Sequence, residues 1–417
     1  MTKFAEENHT HHFLMTTIID PVYGFIHIPL GLLRNIVKHP YFQRLERIHQ
    51  LGTSAMVYPG AQHTRKQHSL GAYHLMTRAF STLASKGVFL FDSEVEATEA
   101  AILMHDLGHG PYSHVLESVF VPGMSHETIS LMMMEQINEA MHGELSLAIS
   151  IFKDEHPKHF LHELISSQLD MDRLDYLCRD SFYTGVREGN IGAQRLIQML
   201  EVRDDKLLIN EKGIYTVENY LMARRVMYWQ VYLHKTTVAA EEVLRCALKR
   251  AKSLARDGHQ LPCSPALHFF LYNEISPERF ANDPECLNQY SMLDDSDILT
   301  ALKMWSKSED KVLAILSNDF INRTLFKAIV SDTPLSEETI EEKCKLMQKE
   351  LGISYSESKY FVRYRKLQNE MYSTVADGID LIDMNGNIHD LSSVSHIVRN
   401  ETSNLKDSKY YLLYQRL

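Results

Sequence analysis

Apolar residues in this chain of 417 recur chiefly at the three-to-four-residue spacing of helices. The spacing predicts helices over residues 42–51, 66–83, 93–106, 128–141, 158–164, 170–179 and 193–199. A long helix is expected from Val217 to Arg256, uninterrupted by Gly or Pro, and residues 296–330 continue helical. Strand signals are short. Residues 17–30 alternate apolar positions around Gly24 and two prolines, 207–209 and 213–215 flank a polar turn, and 379–382 with Ile388 bracket Asn385-Gly386, a good hairpin turn. A charged helix over 337–351 and a final strand over 410–414 complete the pattern. The fold class is therefore mainly α, a helical core with small β-hairpins and an α+β C-terminal subdomain. The division is a tail over 1–15, a main helical domain over 16–330 and the subdomain over 331–417. No internal repeat or low-complexity linker separates them, so the last part is expected to pack rather than swing on a tether.

Composition narrows the class. With 44% hydrophobic and 23% charged residues the chain can bury a large core, and no stretch resembles a membrane span. Residues 1–15 carry Glu6, Glu7 and three histidines without an apolar run, so neither a signal peptide nor an anchor is expected, and the cytoplasm is the default location. Five scattered cysteines form no paired spacing, which argues for reduced thiols. A net charge of -11 opposes broad adhesion to nucleic acid and leaves positive charge for a local anion site. Arg65, Arg173, Arg179, Arg224, Arg225 and Lys235 are the candidates for that site.

The chemistry concentrates in His105-Asp106-Leu107-Gly108-His109-Gly110-Pro111-Tyr112-Ser113-His114, where three histidines and a carboxylate follow an apolar helix capped at Asp92 or Ser93. Gly108, Gly110 and Pro111 end that helix, leaving His105 and Asp106 at its C-terminal end as suitable ligands for a divalent metal. Two further segments share the theme. His68 lies in a turn-rich stretch leading into a helix, and Asp172 lies in Leu169-Asp170-Met171-Asp172-Arg173-Leu174-Asp175-Tyr176-Leu177-Cys178-Arg179-Asp180. His114 and Glu117 can share one face of a helical turn, and Asp172, Tyr176 and Asp180 fall on one helix face.

Together these elements resemble the HD-domain phosphohydrolases, and closely their deoxynucleoside triphosphate triphosphohydrolase branch, over residues 16–330. The resemblance implies that His68, His105, Asp106 and Asp172 hold one divalent transition metal (Mn, Fe, Zn, Ni or Co), with Mg accompanying a substrate triphosphate. It implies that His114 is general acid to the leaving 5′-oxygen and Glu117 orients a histidine. His126 donates a proton or binds phosphate, and His109 contacts substrate or the groups behind it. Gln50, within Gln50-Leu51-Gly52, and Asp180 would bond a sugar 3′-hydroxyl, with Leu51 beside them. Tyr176 would fill the space of a 2′-hydroxyl, Arg65, Arg173 and Arg224 would grip phosphates, and Tyr232 would line the base pocket, where Leu233 replaces a Gln of some relatives. The implied reaction is attack of water at the α-phosphorus, giving deoxynucleoside and inorganic triphosphate. A homo-oligomer, dimer or tetramer, and a nucleotide activator are part of the resemblance. Gln43, Arg323 and Lys327 match activator-site positions of the SAM- and HD-domain enzymes, whereas Lys38 and Glu46 exchange charge there and argue against the same guanine-nucleotide activator. Action on another phosphate ester, or non-catalytic binding of nucleotides or nucleic acid, are the competing expectations.

Overall fold

The computed structural model describes residues 15–370, 372, 378–401 and 406–417, so all of the expected tail but Met15 lies outside the described residues. The first described element is a hairpin of β1 (Met15–Asp20) and β2 (Gly24–Pro29), antiparallel with Asp20 opposite Gly24. Its turn is set by Asp20, whose Oδ1 accepts the backbone N–H of Val22 and of Tyr23, each at 2.9 Å.

Helices make the core. We label α1 Arg65–Ser85, α2 Asp92–Met104, α3 His114–Phe120, α4 His126–Ala140 and α5 Met171–Thr184. Each start has a local cause. Gln67 Oε1 accepts the Thr64 N–H at the head of α1, Ser125 Oγ accepts from Thr128 ahead of α4, and Asp170 Oδ1 accepts from Arg173 ahead of α5. Helix α2 starts one residue earlier than its polar residues indicate: Phe91 is the N-cap, and Glu94 bonds back to its N–H at 2.9 Å. Helix α5 ends on Gly185 in the left-handed region, φ 75°. Leu70, Met76, Ala79 and Leu83 of α1 pack with Ala100, Ile102, Leu103 and Met104 of α2, all buried.

Three sequence expectations are corrected. The long helix is broken: α6 (Ile214–Met227) runs into a π-helical turn over Tyr228–Tyr232, and α7 (Lys235–Arg256) begins anew with the His234 side chain accepting from Thr236 N–H. The central hairpin lies upstream of its expected place, with β3 (Leu200–Arg203) and β4 (Lys206–Asn210) joined by Asp204-Asp205, both at positive φ; Tyr215 belongs to α6. The stretch 296–330 is two helices, Asp295–Trp305 and Lys311–Ile321, followed by the strand β5 (Lys327–Ser331).

The remaining strands, β6 (Val362–Glu370), β7 (Asp380–Ile382), β8 (Ile388–Asp390) and β9 (Lys406–Tyr414), complete two sheets of order β3-β4-β7-β8 and β5-β9-β6. Ile209 pairs in parallel with Leu381, and Ile329 is opposite Leu412. Residues beyond 331 are thus hydrogen-bonded to strands that precede them, and β5 straddles the boundary at 330.

Candidate active site

Helices α1, α2 and α5 converge on one buried point. From α1, His68 Nε2 lies 3.0 Å from Asp172 Oδ1 of α5 and 3.7 Å from Asp106 Oδ2; just past α2, His105 Nε2 lies 3.4 Å from Asp106 Oδ1 and 3.5 Å from Asp172 Oδ1. The other nitrogen of each ring is anchored. His105 Nδ1 donates to the Ile102 carbonyl at 2.6 Å, and His68 Nδ1 donates to Asp175 Oδ2 at 2.8 Å. Both Nε2 atoms are buried with no hydrogen-bond partner. Two fixed imidazole lone pairs aimed at two carboxylates fit a divalent metal, because a cation satisfies all four groups at once.

The carboxylates around these rings favour a positive charge at this point, whether a proton or a cation. Burial lowers the His68 imidazole, but its contacts with Asp172 and Asp175 more than offset this and push it up to about 10. Burial would raise Asp106, yet His105, His109 and Arg65 hold it well below the usual carboxylate range; Asp172 is held low in the same way by His105 and His68. The cluster binds positive charge strongly.

Behind the ligands stands a buried relay that the sequence reading missed. Asp175 accepts from His68 and is gripped from the other side by Arg179, Nε at 2.9 Å and Nη2 at 3.0 Å; Arg179 Nη1 reaches Asp20 Oδ2 of the hairpin at 2.7 Å. Asp175 and Arg179 are fully buried. Room for this pair comes from Gly71 on α1, where a Cβ would stand 2.0 Å from Asp175 Oδ1 and 2.1 Å from Arg179 Nη2. Helical spacing placed Asp175 off the Asp172–Tyr176–Asp180 face, and the only available signal was its i, i+4 relation to Arg179.

A cavity of about 500 Å³ opens beside this cluster and is lined by Gln50, Leu51, Arg65, Asp106, His109, His126, Asp172, Arg173, Tyr176, Asp180 and Tyr232 among others. Eleven of the expected site residues therefore meet there, whereas His68, His105, Glu117 and Arg224 do not line it. Arg65 bridges Asp106 Oδ2 at 2.7 Å and Ser113 Oγ at 2.6 Å. Arg173 Nε donates to the Ser167 carbonyl at 2.6 Å. Asp180 is held between His63 Nε2 at 2.7 Å and the Tyr232 hydroxyl at 2.8 Å, so His63 is a further site residue that sequence reasoning missed. Gln50 Oε1 is buried without a partner. The Arg224 guanidinium sits 5.8 Å from the Tyr228 ring, itself a cavity residue.

His109 and His126 stack with centroids 3.8 Å apart, and Glu117 Oε1 lies 3.6 Å from His109 Nδ1 and 3.7 Å from His126 Nδ1. Burial, with the His109 ring beside it, pushes His126 down to about 3. Asp106, His109 and His126 also point ligand atoms at one another. The side chain of His114 lies outside the described residues. The turn ahead of it carries two consecutive non-glycine residues at positive φ, Tyr112 at 49° and Ser113 at 39°. Of the activator-site matches, Gln43 bonds Lys66 Nζ and the Val37 carbonyl, and Arg323 bonds the Met56 carbonyl.

Comparison with known proteins follows the same map. Residues 65–180 match the HD domain and residues 191–260 the HD associated region. A crystal structure of a phosphohydrolase from Bacteroides thetaiotaomicron VPI-5482 superposes with a TM-score of 0.93 at 58% identity, covering 96% of this chain and 100% of that one. The protein YwfO of Bacillus subtilis (strain 168) is 34% identical over 407 residues, 94% of this chain and 90% of YwfO. The human deoxynucleoside triphosphate triphosphohydrolase SAMHD1 is 30% identical over 281 residues, 57% of this chain but 45% of that protein. No helix among the described residues is long and apolar enough to cross a membrane.

Proposed function

The chain belongs to the HD-domain phosphohydrolases, and from that premise we propose that it hydrolyses deoxynucleoside triphosphates to deoxynucleoside and inorganic triphosphate. The observation that carries the substrate is the convergence of Gln50, Tyr176 and Asp180 in the lining of the cavity that Asp106 and Asp172 also line, with His68 3.0 Å from Asp172 and His105 3.4 Å from Asp106. An unpartnered buried amide oxygen at Gln50 calls for a donor, and a sugar 3′-hydroxyl supplies one. Each Asp180 oxygen already accepts one bond and retains capacity for a second. Tyr176, its ring 6.4 Å from His68, occupies the side where a 2′-hydroxyl would be desolvated without a partner.

A divalent metal held by His68, His105, Asp106 and Asp172 would supply Lewis acidity to an attacking water and a phosphate oxygen. Arg65, already fixed by Asp106 and Ser113, presents positive charge to the phosphates, and Arg173 also lines the cavity. His114 is assigned to protonate the leaving 5′-oxygen. His126, neutral beside His109, offers a lone pair rather than a proton, which suits a cation accompanying the triphosphate. Arg224, 5.8 Å from the Tyr228 ring, is the third arginine assigned to phosphate. A cytoplasmic homo-oligomer responsive to a nucleotide completes the proposal.

The test is product analysis by phosphorus NMR on metal-loaded wild type and Asp106→Ala with each dNTP, each NTP and a dNTP mixture. Inorganic triphosphate from deoxynucleotides with wild type alone is the expected result. Turnover only of another phosphate ester would overturn the substrate, and turnover by Asp106→Ala would overturn the site.

A further inference from the structure

A second concentration of positive charge lies on the far side of α7, where that helix meets β6. Glu242 of α7 is 1% exposed, and its carboxylate is shared by three guanidiniums. Arg245, one turn along the helix, forms a close ion pair with Oε1; Arg363 Nε lies 3.3 Å from Oε2 and Arg365 Nε 3.5 Å from Oε1. Arg363 and Arg365 are two residues apart on β6, so strand geometry sends both toward the helix. Lys249, one further turn along α7, joins the group: burial lowers its ammonium, and the nearby Arg363 charge lowers it further.

The charges do not balance. Among the described residues Glu242 is the sole ion-pair partner of Arg363 and of Arg365, and both engage it through Nε. Their Nη groups bond no described residue, and at 29% and 39% side-chain exposure they are open to solvent. Two planar forks with free Nη donors, backed by an ammonium, match the geometry of a phosphate oxyanion. General basicity does not explain the cluster, because the chain carries a net charge of -11. Like charges gathered around one buried carboxylate repel one another, and an anion placed between them converts repulsion to attraction.

We propose that a phosphate-bearing anion binds between Arg363, Arg365 and Lys249 at the α7–β6 junction, separately from the reaction cavity. The site is placed to bear on that cavity. Glu241, adjacent to Glu242, lines it, and Tyr411, opposite Arg365 in the sheet, donates its hydroxyl at 3.0 Å to the carbonyl of Leu233, another cavity residue. An anion drawing β6 onto α7 therefore firms the cavity's outer wall. The inference does not depend on which nucleotide is hydrolysed.

Isothermal titration of the full chain with tripolyphosphate tests it, comparing wild type with Arg363→Gln/Arg365→Gln. Wild type is expected to bind two equivalents, and the double variant to keep the cavity event while the second weakens by about tenfold or more. Equal stoichiometry and affinity in both proteins would overturn the proposal. Because the double variant could loosen β6, amide exchange in wild type gives an independent reading. Exchange over 362–370 is expected to slow on adding tripolyphosphate, and unchanged exchange counts against the site. Repeating the titration with inorganic phosphate and with dATP, and reading only the binding event that the double variant loses, separates the sources: that event with both identifies free phosphate as sufficient, with dATP alone identifies a nucleotide, and its absence with every probe including tripolyphosphate refutes the anion site.

Discussion

At the scale of single residues, the proposed metal site depends on a side chain that is not one of its proposed ligands. Asp175 fixes the His68 ring by holding Nδ1 at 2.8 Å, which keeps Nε2 aimed at Asp106 and Asp172. Asp175→Asn removes the charge while keeping the shape, and we expect metal affinity to fall about 10–100-fold, measured by metal content after dialysis against graded chelator. Unaltered affinity with intact folding would show that the relay only braces the helices. Glu99 gives a separate, pH-dependent prediction. Burial, and then Glu96, push its carboxyl up to about 7. A carboxyl raised on folding contributes stability that is full below its unfolded value and is lost as pH rises through the folded one. Glu99→Gln is therefore expected to gain Tm relative to wild type between about pH 5 and about pH 8. A constant difference across that range would contradict the burial argument.

At the scale of elements, close approach decides the site. Helices α1 and α5 come together because Gly71 leaves space for the Asp175–Arg179 pair. In Gly71→Ala the new methyl collides with two locked charged groups, so we expect a loss of about 1–3 kcal/mol in urea unfolding and a parallel fall in bound metal. Stability lost without metal would place the clash elsewhere. This scale also separates what the sequence made legible from what it hid. His105 and Asp106 stood out as candidate ligands because chemically rare residue types are packed into one short stretch after a helix. Asp175 was hidden because four aspartates crowd residues 170–180, and the helical phase that turns one toward His68 is set by α1, far away in sequence. The break in the expected long helix has no local signal, neither Gly nor Pro. It is held from outside by Tyr58, whose hydroxyl donates to the Gln230 carbonyl, and by Tyr411 at Leu233, and it brings Tyr228 and Tyr232 into the cavity wall. The shifted hairpin has a different origin: Asp204-Asp205 adopts the paired positive-φ turn, while apolar Ile214 and Tyr215, which read as strand, continue into α6.

At the scale of the whole molecule, the C-terminal part is stitched into what precedes it. Strand β9 covers β5, β7 extends β4, and buried Leu381, Leu391, Leu412 and Leu413 join the one core. A chain ending at residue 330 would expose the β5 edge and uncover that apolar surface. We expect it to lose cooperative melting by circular dichroism and to aggregate on gel filtration; a monodisperse, cooperatively melting product would establish an independent catalytic domain instead. The same molecule-wide balance bears on the turn at Tyr112-Ser113. Glycine at 113 would relieve on the order of 1–3 kcal/mol of backbone strain, yet it would also delete the hydroxyl that steadies Arg65. Selection for heat resistance alone would drift toward that glycine, whereas selection for turnover would hold the serine, so durability and catalysis compete for one peptide unit in this protein's history.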